Sequence, residues 1–208
     1  MLKTPALLAL FAAAPVGGAV YRAIWFQTPP EALTAFEAAI LSRPTALWVH
    51  IVAACALSLL GALQVAPALR RAHPTLHKRL GYVAWTSGVI MGASGIWIVL
   101  AFPTTEGSEP ATQAVRLIFG ALTLWWCADG LCAAIQRDIP RHRAQMLRLF
   151  VFSASATTNA LLIGAYSATG AELTPRAFTI LLTAGWTLAL IAAEALIHRR
   201  PTLRNARI

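Results

Sequence analysis

TALWVHIVAACALSLLGALQVAPALRRAHPTLHKRLGYV, residues 45–83, decides how the whole chain reads. Its first half is apolar and uncharged over about 20 residues. At about 1.5 Å per residue that crosses the roughly 30 Å hydrocarbon core of a bilayer. Arg70, Arg71, His73, His77, Lys78 and Arg79 then crowd into a short connector, and apolar sequence resumes at Leu80. Two spans joined by a basic hairpin are the unit on which the rest of the chain is laid out.

Composition carries this reading outward. Apolar residues make up 58% of the 208-residue chain and charged residues 12%, about half the charged share of an ordinary soluble domain. The pattern predicts an all-α, polytopic transmembrane helix bundle of about six spans forming one integral membrane domain, over 5–22, 46–66, 80–102, 114–135, 146–168 and 177–197. The net charge of +9 does not point to nucleic acid, because the cations cluster at span ends and not on a soluble face. Cys55, Cys127 and Cys132 fall inside apolar runs without CxxC spacing, so they read as packing residues and no metal site is indicated.

The first run also resembles a secretion signal in its shortness and small residues. Trp25 and Phe26 follow it where a polar mature start would stand, which favours a retained helix with an interfacial aromatic anchor. Thr28, Pro29, Pro30 and Glu31 read as the start of a short amphipathic surface helix bearing Leu33, Phe36, Ala39 and Ile40 at helical spacing.

Basic residues set the orientation. With the amino terminus in the cytoplasm, the His73 connector, the loop with Arg137, Arg141 and Arg143, and the tail with Arg199, Arg200, Arg204 and Arg207 all lie inside. Glu31, Glu37, Glu106, Glu109 and Glu172 then face outward. The expected location is a bacterial inner membrane, multi-pass, with both termini cytoplasmic and anionic lipid headgroups against the basic face.

Ionisable groups inside spans are costly and need partners or a function. His50, Asp129, Arg148 and Glu194 stand at such positions. Asp129 and Arg148 fall at comparable depth, which suggests either an ion pair or an Arg148 that snorkels to the inner headgroups beside a protonated Asp129; Glu194 reads as a solvated helix end. His77 and His142 open two different spans. Two neutral imidazoles on neighbouring helices can hold a b-type haem, or hydrogen-bond a quinone, near the inner face. Met146, one turn past His142, is a candidate soft ligand, and Arg148 and Asp129 are candidate supports. The plainer reading of these residues is an interfacial ring meeting lipid phosphates. His50 and Gln64 on one span, with Asn159 on another, form polar stripes that line an internal pocket or make interhelical hydrogen bonds. Gly81, Gly88, Gly92 and Gly95 share one helix face and read as close-packing positions.

One resemblance joins these features. His50, then Gly61 and Gln64, then Leu69, Arg70 and Arg71, then Pro74, Leu76, His77, Lys78, Arg79, Leu80 and Gly81 form one signature. His142, Arg143, Met146 and Arg148 form a second. Together, over 46–162, they resemble the bacterial predicted membrane proteins called domain of unknown function 2306. That family often carries a tryptophan where Gln145 stands and an arginine near Asn159. The resemblance implies a fold and a membrane location, and no activity. From the residues themselves three functions follow: a small redox protein binding haem or quinone, a lipid- or partner-binding protein without catalysis, and a solute or proton transporter.

Overall fold

The computed structural model describes residues 3–33, 35–102 and 110–198. Helices account for nearly all of them: α1 (Lys3–Gln27), α2 (Ala35–Ser42), α3 (Thr45–Val65), α4 (Pro67–Ala72), α5 (Pro74–Ala101), α6 (Pro110–Ile135), α7 (Ile139–Ala154), α8 (Ala156–Ser167) and α9 (Pro175–His198). Five spans are long and apolar enough to cross a membrane: α3, α5, α6, the joined α7–α8 and α9. The 25-residue α1 runs beside α3 and α8, so about six spans stands. The Cys55 thiol donates to the Pro15 carbonyl at 3.4 Å and ties α1 to α3.

The spans expose large apolar side chains outward, among them Val52, Leu100, Ile118, Trp125, Leu161 and Ile191. Water would penalise such a surface at about 25 cal/mol per Å², whereas lipid does not. The interior is a ring of four. α3 and α6 each pack on both α5 and α7, so α5 and α7 stand opposite one another, and α9 closes over α7 and α8. Ala53, Leu57, Ala84, Met91, Trp126, Cys127 and Leu149 fill the centre.

The glycine face of α5 packs as expected, but it serves more than one neighbour. Gly81 meets Gln64 and Gly95 meets His50, both from α3; Gly88 admits Cys127 and Leu149, and Gly92 admits Leu124 and Thr123.

Several boundaries differ from expectation, among them α5, which begins at Pro74 and not 80. The Thr28 hydroxyl does not cap the next helix; it turns back onto the Ile24 carbonyl at 3.2 Å, Pro29 and Pro30 end α1, and α2 begins only at Ala35. The fifth span begins at Ile139 and not 146, because Asp138 caps it by accepting from the Arg141 amide at 3.1 Å. The same span is interrupted at Ser155. There the backbone N–H (3.1 Å) and the hydroxyl (2.5 Å) both donate to the Phe152 carbonyl, which tightens one turn and splits α7 from α8. Glu106, Glu109 and the four tail arginines lie outside the described residues, as does the side chain of Phe36.

Candidate functional site

Polar chemistry gathers at the end of the bundle where α3, α6 and α9 finish and α5 and α7 begin. The α6–α7 hairpin builds one side of it. Arg137 takes a left-handed conformation (φ 61°), its N–H meets the Ala134 carbonyl at 3.2 Å, and the Asp138 N–H meets Ala133 at 2.9 Å. This closure is the usual glycine-type helix stop, here made by arginine. The turn is so short that the first turn of α7 lies against the last turns of α6.

That register sets the charges. Asp129, 7% exposed, receives Arg141 through Nε at 3.1 Å and through Nη2, and also receives the Gln145 amide. Gln145 Oε1 accepts from Arg148 Nη1 at 2.9 Å. Arg148 in turn grips Glu194 with both arms of its fork, at 2.5 and 2.9 Å. The expected Asp129–Arg148 pair is therefore replaced by two pairs with Gln145 as the bridge between them. Glu194 is not a free solvated end; it anchors α9 to α7, with His198 3.5 Å away. Each carboxylate has its own guanidinium, which is how charge is tolerated at this depth.

The two histidines do converge on this end. His142 Nδ1 lies 2.8 Å from the Gly130 carbonyl and donates to it. His77, on the opposite helix of the ring, lies within electrostatic reach of Arg70 and His142. Its Nδ1 is buried with no hydrogen-bond partner among the described residues. Gln64 Nε2 is buried and unpartnered likewise. The thioether of Met146 packs on Gly130, beside His142.

The remaining candidates sit elsewhere. His50 is at the far end of α3, with Nδ1 3.0 Å from the Met91 carbonyl and 3.1 Å from Ser94 Oγ. Asn159 lies on α8 against Gly185 of α9, its Oδ1 buried and unpartnered. His50, Gln64 and Asn159 thus do not share one pocket. An apolar cleft between the start of α3 and the end of α5, lined by Val49, Ala93, Trp97 and Phe102 with Arg43 at its edge, is at the His50 end. No cluster of three or more metal-ligating side chains occurs among the described residues.

Two members of the network, Gln145 and Arg141, were outside the candidate set. Arg141 reads as a loop residue only when the span is taken to start at its first long apolar run.

With the geometry in hand, the family model for predicted membrane proteins DUF2306 matches residues 47–197. The chain belongs to the DUF2306 family. The match reaches beyond the 46–162 traced from motifs and takes in α9 with Glu194, so the whole charge network lies within the family domain. No curated protein and no solved structure matches this DUF2306 chain.

Proposed function

We propose that this DUF2306 protein is a redox-type membrane protein holding a b-type haem or a quinone at the basic end of the bundle, between α5 and α7. One observation carries the proposal. His142 donates Nδ1–H to a backbone carbonyl, the arrangement that fixes a tautomer and turns the Nε2 lone pair outward as a ligand or acceptor. His77 lies on the opposite helix of the ring, within electrostatic reach of His142, and paired ligands in helix-bundle cofactor sites likewise come from facing helices. The Asp129–Arg141 and Arg148–Glu194 pairs hold α7 against α6 and α9, which keeps His142 in place. A haem bound here would supply one-electron chemistry, and the chain's own part is to ligate, orient and shield it. Orientation belongs to the same reading: the basic end faces the cytoplasm of a bacterial inner membrane.

The test is an absorption spectrum and an organic-solvent extract of the purified protein. A Soret band lost in His142→Ala, or bound quinone near one per chain, supports the proposal. Absence of both overturns it. A second reading, anionic-lipid binding without catalysis, is favoured by Arg70, Arg71, Lys78, Arg79 and Arg143, which are exposed and have no ion pair among the described residues. It predicts retained anionic phospholipid in the same extract, with neither cofactor.

A further inference from the structure

We infer that the apolar cleft at the end opposite the charge network holds one acyl chain of an anionic phospholipid, with the lipid phosphate against Arg43. This site is separate from the one proposed at the basic end and does not depend on it.

The cleft has a cause in the sequence. Its floor is made of small side chains, Ala46 on α3 and Ala93, Ser94 and Ala101 on α5. Val49 and Trp97, 43% and 62% exposed, stand beside that floor as walls. The space between them is about 570 Å³, within the roughly 300–1,000 Å³ of small-molecule sites.

Charge enters the cleft at one end. Arg43 is exposed and has no ion pair among the described residues. The Phe102 ring, 5.8 Å from its Cζ, keeps the guanidinium at the mouth. Deeper in, the Ser94 hydroxyl is already spent on the Ile90 carbonyl at 2.6 Å. Trp97 presents an apolar body with a polar tip, as interfacial tryptophans do. A cation at the mouth with hydrocarbon along the floor complements an anionic amphiphile.

Level and length agree with a lipid. Phe26 stacks on Trp25 and on Trp48 at this end, with ring centroids 5.5 Å apart in each pair. Such aromatic belts lie at the headgroup level. Arg43 stands just before the first residue of α3, at that same level. The cleft follows α5 from Ala101 down to Ala93, about 12 Å at 1.5 Å per residue. One leaflet supplies roughly 15 Å of hydrocarbon. An acyl chain whose phosphate meets Arg43 therefore runs down the cleft within a single leaflet.

The experiment uses the full-length protein in phosphatidylcholine nanodiscs, doped with a phosphatidylglycerol that carries a diazirine in one acyl chain. After illumination the labelled residues are mapped by mass spectrometry, which separates this cleft from lipid held at the basic end. Labelling is expected at Val49, Ala93 and Trp97. A phosphatidylcholine with the same diazirine should label them about fivefold less, the factor that one interfacial cation contributes. Arg43→Gln should abolish that preference and Arg43→Lys should keep it. Arg176→Gln, which removes an exposed cation at the same end, should leave it unchanged. Ala93→Leu fills the floor and should lower labelling by the phosphatidylglycerol probe. Helical circular dichroism and elution volume check that each variant folds. Where Ala93→Leu does not fold, the Arg43 variants and the two headgroups decide. Equal labelling by the two probes, or a preference that survives Arg43→Gln, reduces the cleft to ordinary lipid-facing surface and overturns the inference. Displacement of the probe by oleate but not by unlabelled phosphatidylglycerol assigns the cleft to a free fatty acid and overturns it as well. So does a dimer in which the cleft residues stay unlabelled.

Discussion

At the scale of single residues, the contact of Asn159 with Gly185 is the closest at any described glycine. A Cβ added at Gly185 would overlap the Asn159 amide oxygen. That oxygen has no conventional donor among the described residues, and the Gly185 Cα–H is the weak donor that faces it. Gly185→Ala is expected to destabilise by about 1–3 kcal/mol through overpacking. The melting temperature in detergent should fall accordingly. Asn159→Ala in the same chain removes the clash and should restore part of the loss. If the double variant melts lower than Gly185→Ala alone, this contact is not the cause. The Arg148–Glu194 fork gives a second prediction. Arg148→Met strands a carboxylate and Glu194→Gln weakens the hold on a guanidinium inside a span. Arg148→Met with Glu194→Leu removes both charges, so it should melt above either single variant, since a charge left unpaired inside a span costs more than an apolar replacement of the pair. A double variant less stable than both singles would show that the pair itself supplies net stability.

At the scale of elements, the helices were legible because apolar runs of span length have few alternatives. Their ends were not, because hydropathy marks where lipid begins and not where hydrogen bonding begins. Asp138, with Pro140 in the first turn, starts α7 in polar sequence; Pro74 does the same for α5. His142 and His77 are consequently first-turn helical residues, and Arg141 gains a helical position from which it reaches Asp129. The pairing at Asp129 was misread for this reason. Depth alone placed Arg148 beside it, while the hairpin register delivers Arg141. The interruption at Ser155 was also invisible, since a serine bonding back to its own helix looks like any other small polar residue in a span. The hairpin itself is testable. Arg137 holds a positive φ, which a β-branched side chain tolerates poorly. Arg137→Val should lower the melting temperature, and Arg137→Gly should not. Equal effects from the two would mean that the arginine side chain, and not the backbone conformation, matters at this turn.

At the scale of the whole molecule, antiparallel packing makes sidedness a single choice. The α4–α5 connector at His73 and the α6–α7 turn at Arg137 lie at one end of the bundle; the α8–α9 turn at Gly170 lies at the other. Every exposed cation of the first two connectors is therefore committed to the same membrane face, and basic loops are retained in the cytoplasm. A chain with Cys55, Cys127 and Cys132 replaced, carrying one new cysteine at His73, Arg137 or Thr169, makes this measurable. A membrane-impermeant maleimide applied to intact cells should label Thr169→Cys and spare the other two until the membrane is opened. Labelling of His73→Cys and Thr169→Cys from the same side would contradict the helix order. Labelling of His73→Cys and Arg137→Cys from outside, with Thr169→Cys protected, would keep the fold and invert it. The proposed cofactor site would then open on the opposite face of the membrane, and its electron partners would have to be sought there.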